Sequence, residues 1–576
     1  MAKMNAQEIA GALEEMAEIM EITGENPFKI RAYHNAAHVV DGLTNLDHLV
    51  ADEELVKVPG IGKALAEHIA ALYKKGHFPE YVQLRKSVPA GVLDMLRIPG
   101  VGPKKVKVIW KDMEITSISL LKLACERGGL AKIKGFGEKT AQKILQGIQF
   151  IQQHQDQHLY SDALAVAAPI LAFLKKHPKV KRVELGGSLR RCKEVVKDID
   201  LVASSSDAKK VMADFVKMPG VESVINHGDT KSSVIIKPGI QVDCRVVSDK
   251  EFPYALHHFT GSKEHNVALR TRAKAAGYKI SEYGLFKEGK GGETLIPCKD
   301  ETEFFKKLGL EYIPPEMREN MGEIEAAEKD KLPKLIELKD LTGFFHCHTT
   351  ASDGKATLDE MVAGAKARGY GYIGISDHSQ SAVYAGGLKP AELKKQWAEI
   401  DAINKKQKAI YVFKGTESDI HVDGALDYPD AILKNFDFVV ASIHGNFNQD
   451  MKTATARVCK AISHPACRIL GHPTGRLLLA REGLPLDFEQ VIDCAVKHDV
   501  AIEINANPHR LDMDWRHSFY AHKKRLKIVI SPDAHSVAGI DDLQYGINVA
   551  RKGWWTKADV INTWPLEKVK AWLKRK

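Results

Sequence analysis

Along the first 175 or so residues, apolar side chains recur at three- and four-residue spacing, broken by short Gly/Pro turns. That period belongs to helices that bury one face, so this section is predicted to be all-helical. From Val183 the pattern changes to short β-type runs, VELGG, DIDLVA, SSVIIK and IQVDCRVV, separated by helices and loops, which predicts a mixed α/β unit. Residues 316–340, EMRENMGEIEAAEKDKLPKLIELKD, are polar, charge-alternating and poor in aromatics. They read as an exposed helix or tether, and the main domain boundary is expected there. Beyond it, GYIGISDH, AIYVFKGTE, DFVVASIH, RILGHP, VAIEINA and KIVISPDAH alternate with helical stretches, the rhythm of β/α repeats. Polar residues gather at the C-terminal ends of these strands, where α/β barrels build their sites.

Composition narrows the class. At 576 residues the chain exceeds one ordinary core, since a domain takes about 150 residues. With 44% hydrophobic and 27% charged residues it has the balance of a folded, soluble protein. The eight cysteines are scattered, without a C-x-x-C pair, so neither a disulfide framework nor a zinc ribbon is expected. The N-terminal stretch MAKMNAQEIAGALEEMAEIMEI is an acidic amphipathic helix rather than a signal peptide. No run approaches the ~20 apolar residues that span a bilayer, which predicts a cytoplasmic protein without a membrane partner. The net charge of +9 is modest, so only its placement can point to nucleic acid.

One element occurs three times: VPGIGKALAEHI at Val58, IPGVGPKKVKVI at Ile98 and IKGFGEKTAQKI at Ile133. Each G-x-G (Gly60 and Gly62, Gly100 and Gly102, Gly135 and Gly137) makes a tight turn that opens a helix, leaving backbone N–H groups and a positive dipole end facing outward. Lys63, Lys104, Lys105 and Lys139 follow. One such turn reads as an ordinary helix start. Three with basic followers read as binders of a DNA backbone, and a dinucleotide fingerprint is disfavoured because no strand precedes them.

GGSLRRCKEVVKDIDLV, Gly186 to Val202, carries a second pattern. Strand residues i and i+2 share a face, so Asp198 and Asp200 present two carboxylates to one point while Ile199 turns into the core. GIQVDCRVV adds Asp243, an acid in an apolar run where an uncompensated buried charge is costly. Three such carboxylates can hold two Mg2+ ions for phosphoryl transfer. Gly187 and Ser188, with Arg191, would cradle a triphosphate.

With these motifs in place, residues 1 to about 318 resemble a family X DNA polymerase of the polymerase beta type. The resemblance implies gap-filling synthesis on gapped or nicked DNA from deoxynucleoside triphosphates. It divides the chain into a 5′-phosphate-binding helical domain (1–80), helix-hairpin-helix fingers (81–155), a nucleotidyltransferase palm (156–250) and a thumb (251–318). NPFKIRAYHNAA resembles the segment that holds the downstream 5′-phosphate, which assigns that contact to Lys29 and Tyr33. HFTGSKEHNVALR resembles the thumb, which places His258, Phe259 and Gly261 beside the incoming sugar, Asn266 on the base edge and Arg270 near the template. Arg245 resembles the arginine that pairs with a catalytic aspartate in the open form. Two positions depart from the pattern. His258 stands where the family often has tyrosine, which touches sugar discrimination, and His68 stands where lyase-competent members have a Schiff-base lysine. An imidazole cannot form that imine in the lysine's way, so weak or absent lyase activity is expected.

The C-terminal half opens with FFHCHTTASDG, in which strand geometry turns His346 and His348 to one side. Asp353, His378, Glu417, His444, His472, Asp533 and His535 follow, nearly all at predicted strand ends. A lone histidine in an apolar run is usually a satisfied core residue; nine donors at successive strand ends are not. Imidazole with carboxylate suits Mn2+ or Zn2+. After a linker at 319–340, residues 341–576 resemble the polymerase and histidinol phosphatase (PHP) domain. That implies a distorted (β/α)7 barrel, all nine positions of a trinuclear metal pattern, and phosphoesterase chemistry seen as 3′–5′ exonuclease or abasic-site cleavage. Arg510 is a candidate phosphate contact, and Lys414 a weaker one. The expected fold is therefore multi-domain: all-α helix-hairpin-helix, an α/β palm with thumb, then the barrel. A monomer is expected, with the linker letting both modules reach one DNA. The competing readings are a non-templated nucleotidyltransferase, opposed by the hairpins and the thumb-like segment, and a DNA-end scaffold, which would lack a ligand residue.

Overall fold

The computed structural model describes residues 4–41, 43, 46–289 and 292–574. The chain forms two compact units, Met1–Gln155 and Asp156–Lys576.

In the first unit the leading helix, Ala6–Thr23, starts at Asn5, which with Glu8 forms a reciprocal capping box. Its apolar residues serve two cores. Ile9, Leu13, Met16 and Met20 pack with Tyr33, Ile69 and Phe78, whereas Ile19 and Ile22 pack with Val92, Val106, Ile144 and Ile148. The three glycine turns are built alike. A 3₁₀ turn (Leu55–Lys57, Asp94–Arg97 or Leu130–Lys132) leads into a first glycine at positive φ, 89° at Gly60, 78° at Gly100 and 92° at Gly135. The second glycine is the extended N-cap of the helix Lys63–Lys75, Pro103–Lys111 or Glu138–His154. The residue between them, Ile61, Val101 or Phe136, is buried and pins the turn to the core.

The second unit begins with a five-stranded sheet in the order Val180–Leu185, Asp198–Ser205, Ile240–Val247, Lys231–Ile236, Val221–His227. Only Asp198–Ser205 and Ile240–Val247 run parallel, and their register sets Asp200 opposite Asp243. The helices Tyr160–Lys176 and Ala208–Phe215 cover one face through Ala163, Ile170, Met212 and Phe215. A three-stranded antiparallel sheet (Tyr278–Ser281, Gly284–Gly289, Gly292–Ile296) and the helices Phe252–Thr260, Lys263–Ala275 and Glu301–Lys307 come next.

The expected tether is not one. Ile324, Ala327 and Leu335 join Phe304, Phe305 and Ile313 in a core, and Ile336 is buried in the neighbouring one. Glu323, wholly buried, accepts the N–H groups of Asn320 and Met321 and the Nδ1 of His265. Its charge is spent on capping and pairing, which a charge-alternating sequence does not reveal. The division between compact units falls instead at 155/156, and the palm and thumb region shares one unit with the C-terminal strands.

Seven parallel strands then form a barrel in sequence order: Gly343–Cys347, Tyr372–Ile375, Tyr411–Asp419, Phe438–Ser442, Cys467–Leu470, Ala501–Asn505 and Ile528–Ser531. A parallel bridge between Cys347 and Ala534 brings the last strand back to the first. At one end of the interior, Phe345, Phe413, Phe438, Val440, Ala501 and Val529 pack on Trp572 of the helix Leu566–Leu573. Further along the same inward faces a small residue precedes a donor: Phe413–Gly415–Glu417, Val440–Ser442–His444, Val529–Ser531–Asp533. A side chain at Gly415 would meet the Phe438 ring at 2.2 Å, so the glycine makes room for that plug. Among the described residues no helix is long and apolar enough to cross a membrane.

Candidate functional site

Two clusters of ligand-type side chains lie in the second unit. In the first, Asp198 and Asp200 flank the buried Ile199, and Asp243 sits beside Asp200 on the neighbouring strand. Burial, then Asp198 and Asp243, pushes the Asp200 carboxyl up to about 7. Burial and Asp243 also raise Asp198. Burial works against Asp243 too, but bonds from Gln241, Ser233 and Lys231 outweigh it and hold that carboxyl low. Two carboxylates that resist ionisation beside a third that is held charged make a fitting cradle for hard divalent cations with oxygen ligands.

Gly187, at φ 56°, opens the four-residue helical turn Gly187–Arg190, and a Cβ there would fall 2.0 Å from Asp200 Oδ2. The glycine therefore lets the loop lie directly on the carboxylate. Phe259 packs against Gly186, which brings the start of the thumb to the same place. Asn266 donates from Nδ2 to the carbonyls of His258 (2.8 Å) and Gly261 (3.2 Å), bracing that turn, and Arg270 Nε donates to the Asn266 carbonyl.

The two arginines assigned to this site both have protein partners. Arg191 is buried, donating from Nε to Glu319 (2.9 Å) and from Nη1 to the Thr260 carbonyl (2.8 Å). Arg245 reaches Tyr283 Oη at 3.2 Å, not an aspartate. Lys231, which sequence reasoning missed, takes that part, with Nζ 3.1 Å from Asp243 Oδ2. The strand holding Lys231 pairs antiparallel with that of Asp243, a register that no local motif encodes.

In the barrel all nine expected donors converge. Their atoms form four overlapping groups, each within 4.8 Å: His348, Asp353, His378 and His535; His346, Glu417 and His472; His346, His348 and Asp533; His378, Glu417 and His444. Glu417 is central. Its Oε1 lies 3.3, 3.2 and 2.9 Å from His346, His444 and His472, and its Oε2 lies 3.0 Å from His378. Burial disfavours the Glu417 charge, but His444, His346 and His378 outweigh it and hold the carboxyl well below its usual range. His378 is in turn raised to about 10, its neighbours Glu417 and Asp353 overcoming burial. Buried and without hydrogen-bond partners are His346 Nε2, both nitrogens of His348, His378 Nδ1 and His472 Nδ1, so this donor set fits bound metal.

His346 and His348 do share a side, though not by simple alternation. His346 has φ 59° and the register shifts between Phe344 and Cys347, so the inward Phe345 is followed at once by an inward ligand. Sequence reasoning also missed the residues that orient these rings. Glu503 holds His346 Nδ1 (2.6 Å) and Asp419 holds His444 Nδ1 (2.6 Å), which leaves each Nε2 for a metal. Asp377 instead ties down Thr349, Ser352 and Gln396. Glu503 was detectable: it is an acid within the apolar run VAIEINA, the signal that revealed Asp243. Arg510 Nε lies 3.4 Å from Asp533 at the site, whereas Lys414 pairs with Asp401 away from it.

In the first unit a Cβ at Gly62, Gly100, Gly102, Gly135 or Gly137 would meet no protein atom within 4 Å, so the glycine turns are open to an outside partner. Tyr33 hydrogen-bonds His68 Nδ1 at 2.8 Å, and His68 stacks on Phe78. Burial lowers the His68 pKa, so the ring is neutral at pH 7. Lys29 lies 3.8 Å from Glu25.

A sheet with paired strand carboxylates under a Gly-Gly-Ser turn defines a nucleotidyltransferase palm, and a barrel mouth of clustered histidines and acids defines a metal-dependent phosphoesterase. Comparison with known proteins agrees. Residues 4–78 match the helix-hairpin-helix domain, 92–149 the SAM-like helix-hairpin-helix tandem, 255–319 the DNA polymerase beta thumb and 345–507 the PHP domain. The DNA polymerase/3′-5′ exonuclease PolX of Bacillus subtilis is 38% identical over 99% of this chain and its own whole length. Rat DNA polymerase lambda is 25% identical over 54% of this chain and 56% of its own. A probable phosphatase of Caldicellulosiruptor saccharolyticus is 35% identical over 28% of this chain and 64% of its own. The chain belongs to the family X DNA polymerases that carry a C-terminal PHP domain.

Proposed function

We propose that this protein fills short gaps in DNA during repair, through its palm, and trims 3′ ends or cleaves at abasic sites through its barrel. The reading is supported by one observation: two separate groups of ligand-type side chains stand in one chain, three carboxylates on the palm strands and nine donors at the barrel mouth.

In the palm, Asp198, Asp200 and Asp243 would hold two Mg2+ ions. When bound, these supply charge neutralisation to the triphosphate and ease ionisation of the primer hydroxyl. The backbone of Gly187 and Ser188 receives the triphosphate, Phe259 and Gly261 back the incoming sugar beside His258, and Asn266 and Arg270 face the base and template. In the unit before it, the exposed turns with Lys63, Lys104 and Lys139 grip the phosphate backbone without reading sequence, and Lys29 with Tyr33 takes the downstream 5′-phosphate.

In the barrel, His346, His348, Asp353, His378, Glu417, His444, His472, Asp533 and His535 would hold up to three Mn2+ or Zn2+ ions, which supply an activated water against a phosphodiester. Glu503 and Asp419 keep the imidazoles in the ligating tautomer. Arg510 is placed to meet a phosphate oxygen. We assign the enzyme to the cytoplasm, and to a monomer because both groups of donors lie within one chain.

The test is a gapped duplex with a labelled primer, comparing wild type with Asp198→Ala and His346→Ala in magnesium and in manganese. The first change should abolish extension alone and the second degradation alone. Extension that ignores the template base would overturn the polymerase assignment in favour of a non-templated nucleotidyltransferase.

A further inference from the structure

The loop after the strand Val180–Leu185 carries Gly186, Gly187 and Ser188 and then two arginines, each already engaged. Arg190 grips Glu301 with both terminal nitrogens (3.1 and 2.6 Å) and reaches Thr260 Oγ1 at 2.6 Å. Arg191 Nε donates to Glu319 Oε1 at 2.9 Å. That same oxygen accepts from Lys552 Nζ at 2.5 Å. Lys552 ends the helix Leu543–Lys552, which belongs to the barrel region. Its side chain is fully buried, and its ammonium also donates to the carbonyls of Arg191 (3.1 Å) and Glu316 (3.4 Å). A second barrel residue, Arg516, holds Glu194 at the far end of the loop at 2.8 Å.

Burying an ammonium is costly unless its protons are satisfied, and here three oxygens from the palm and thumb satisfy it. None of the nine barrel donors touches Lys552, so the phosphoesterase site does not explain it. The shared carboxylate does. For Arg191 to swing to a triphosphate it must leave Glu319 and the Thr260 carbonyl, and a buried carboxylate left alone would pull it back. With Lys552 still bound to Glu319, that charge stays compensated.

We propose that Lys552 is a positioning residue for the polymerase reaction: the barrel, through this one ammonium, anchors the nucleotide loop and frees the Arg191 guanidinium for the incoming nucleoside triphosphate. The barrel thus has a second role, separate from its own chemistry. The inference rests on the nucleotidyl-transfer reading of the palm.

The experiment uses the full chain with K552M, K552R and the double variant E319Q/K552M. Single-nucleotide insertion on a gapped duplex gives KM and kcat, equilibrium binding of dATP in calcium gives Kd, and removal of 3′ nucleotides from single-stranded DNA reports on the barrel. K552M should raise KM and Kd for the nucleotide about tenfold while kcat changes less than about threefold and nuclease activity is kept. K552R, which keeps the charge, should recover part of the loss. E319Q/K552M should recover most of it, because a neutral glutamine no longer holds Arg191. Wild-type KM and Kd in K552M would overturn the proposal, as would a double variant no better than the single, or equal losses of both activities, which would mark a merely structural lysine. A wild-type chain that never extends a primer would instead bring down the parent reading and this proposal with it.

Discussion

His346 Nδ1 stands 2.6 Å from Glu503 Oε2, with both side chains fully buried. That contact fixes the ring's tautomer and leaves Nε2 facing Glu417 and Asp533 at 3.3 and 3.4 Å. Replacing Glu503 with glutamine keeps the shape but weakens the acceptor. Metal retained after dialysis, measured by elemental analysis, should fall with an affinity loss of about 10–100-fold, and nuclease activity should fall with it while primer extension is unchanged. Undiminished metal content in Glu503→Gln would refute the orienting role.

The palm carboxylates make a pH prediction. Burial, with Asp198 and Asp243 beside it, pushes the Asp200 carboxyl of the folded chain up to about 7 from its ordinary 3.8. Between those values the folded state holds a proton that the unfolded state has lost, so stability contributed here falls as pH rises through the window and is flat above it. With chelator present, wild type should lose thermal stability from pH 5 to 7.5 relative to Asp200→Asn, by a margin on the order of a few kcal/mol. Magnesium should restore wild type at pH 8 and do little for the variant. Parallel melting curves for the two proteins across this range would count against the crowding of Asp198, Asp200 and Asp243.

Gly102 separates folding from DNA contact. Its backbone is extended, a conformation open to any residue, and nothing lies within 4 Å of a Cβ placed there. Gly102→Val should cost about 1 kcal/mol or less in stability, the difference between N-cap residues. Affinity for gapped duplex should nonetheless drop about tenfold, because the added methyl groups occupy the space a phosphate needs. Denaturation and DNA titration of the same sample decide it, and unchanged affinity would remove this turn from the interface.

His68 bonds Tyr33 and stacks on Phe78, and burial keeps it neutral. It offers no amine to a sugar aldehyde. Borohydride treatment in the presence of a 5′-deoxyribose-phosphate end should trap no protein–DNA adduct. An adduct mapped to the helix Lys63–Lys75 would show that another residue of that helix replaces the missing lysine.

Much of this molecule was written in local patterns. The glycine turns, the D-x-D pair and the strand-end histidines are short-range features, because turn geometry, strand alternation and strand termini are set by a few neighbouring residues. All nine barrel donors and the three palm carboxylates could therefore be named from the chain alone. The tertiary structure decided which side chains share a charge. Lys231 meets Asp243 through antiparallel register, Arg191 meets Glu319 rather than open solvent, and Lys552 crosses 233 positions of sequence to the same Glu319. The segment 319–340 looked like a tether because its charges alternate, yet Glu319 and Glu323 are satisfied by Arg191, Lys552 and His265 and so can be buried. Pairing between distant charges is a property of packing, and hydropathy along a chain does not contain it.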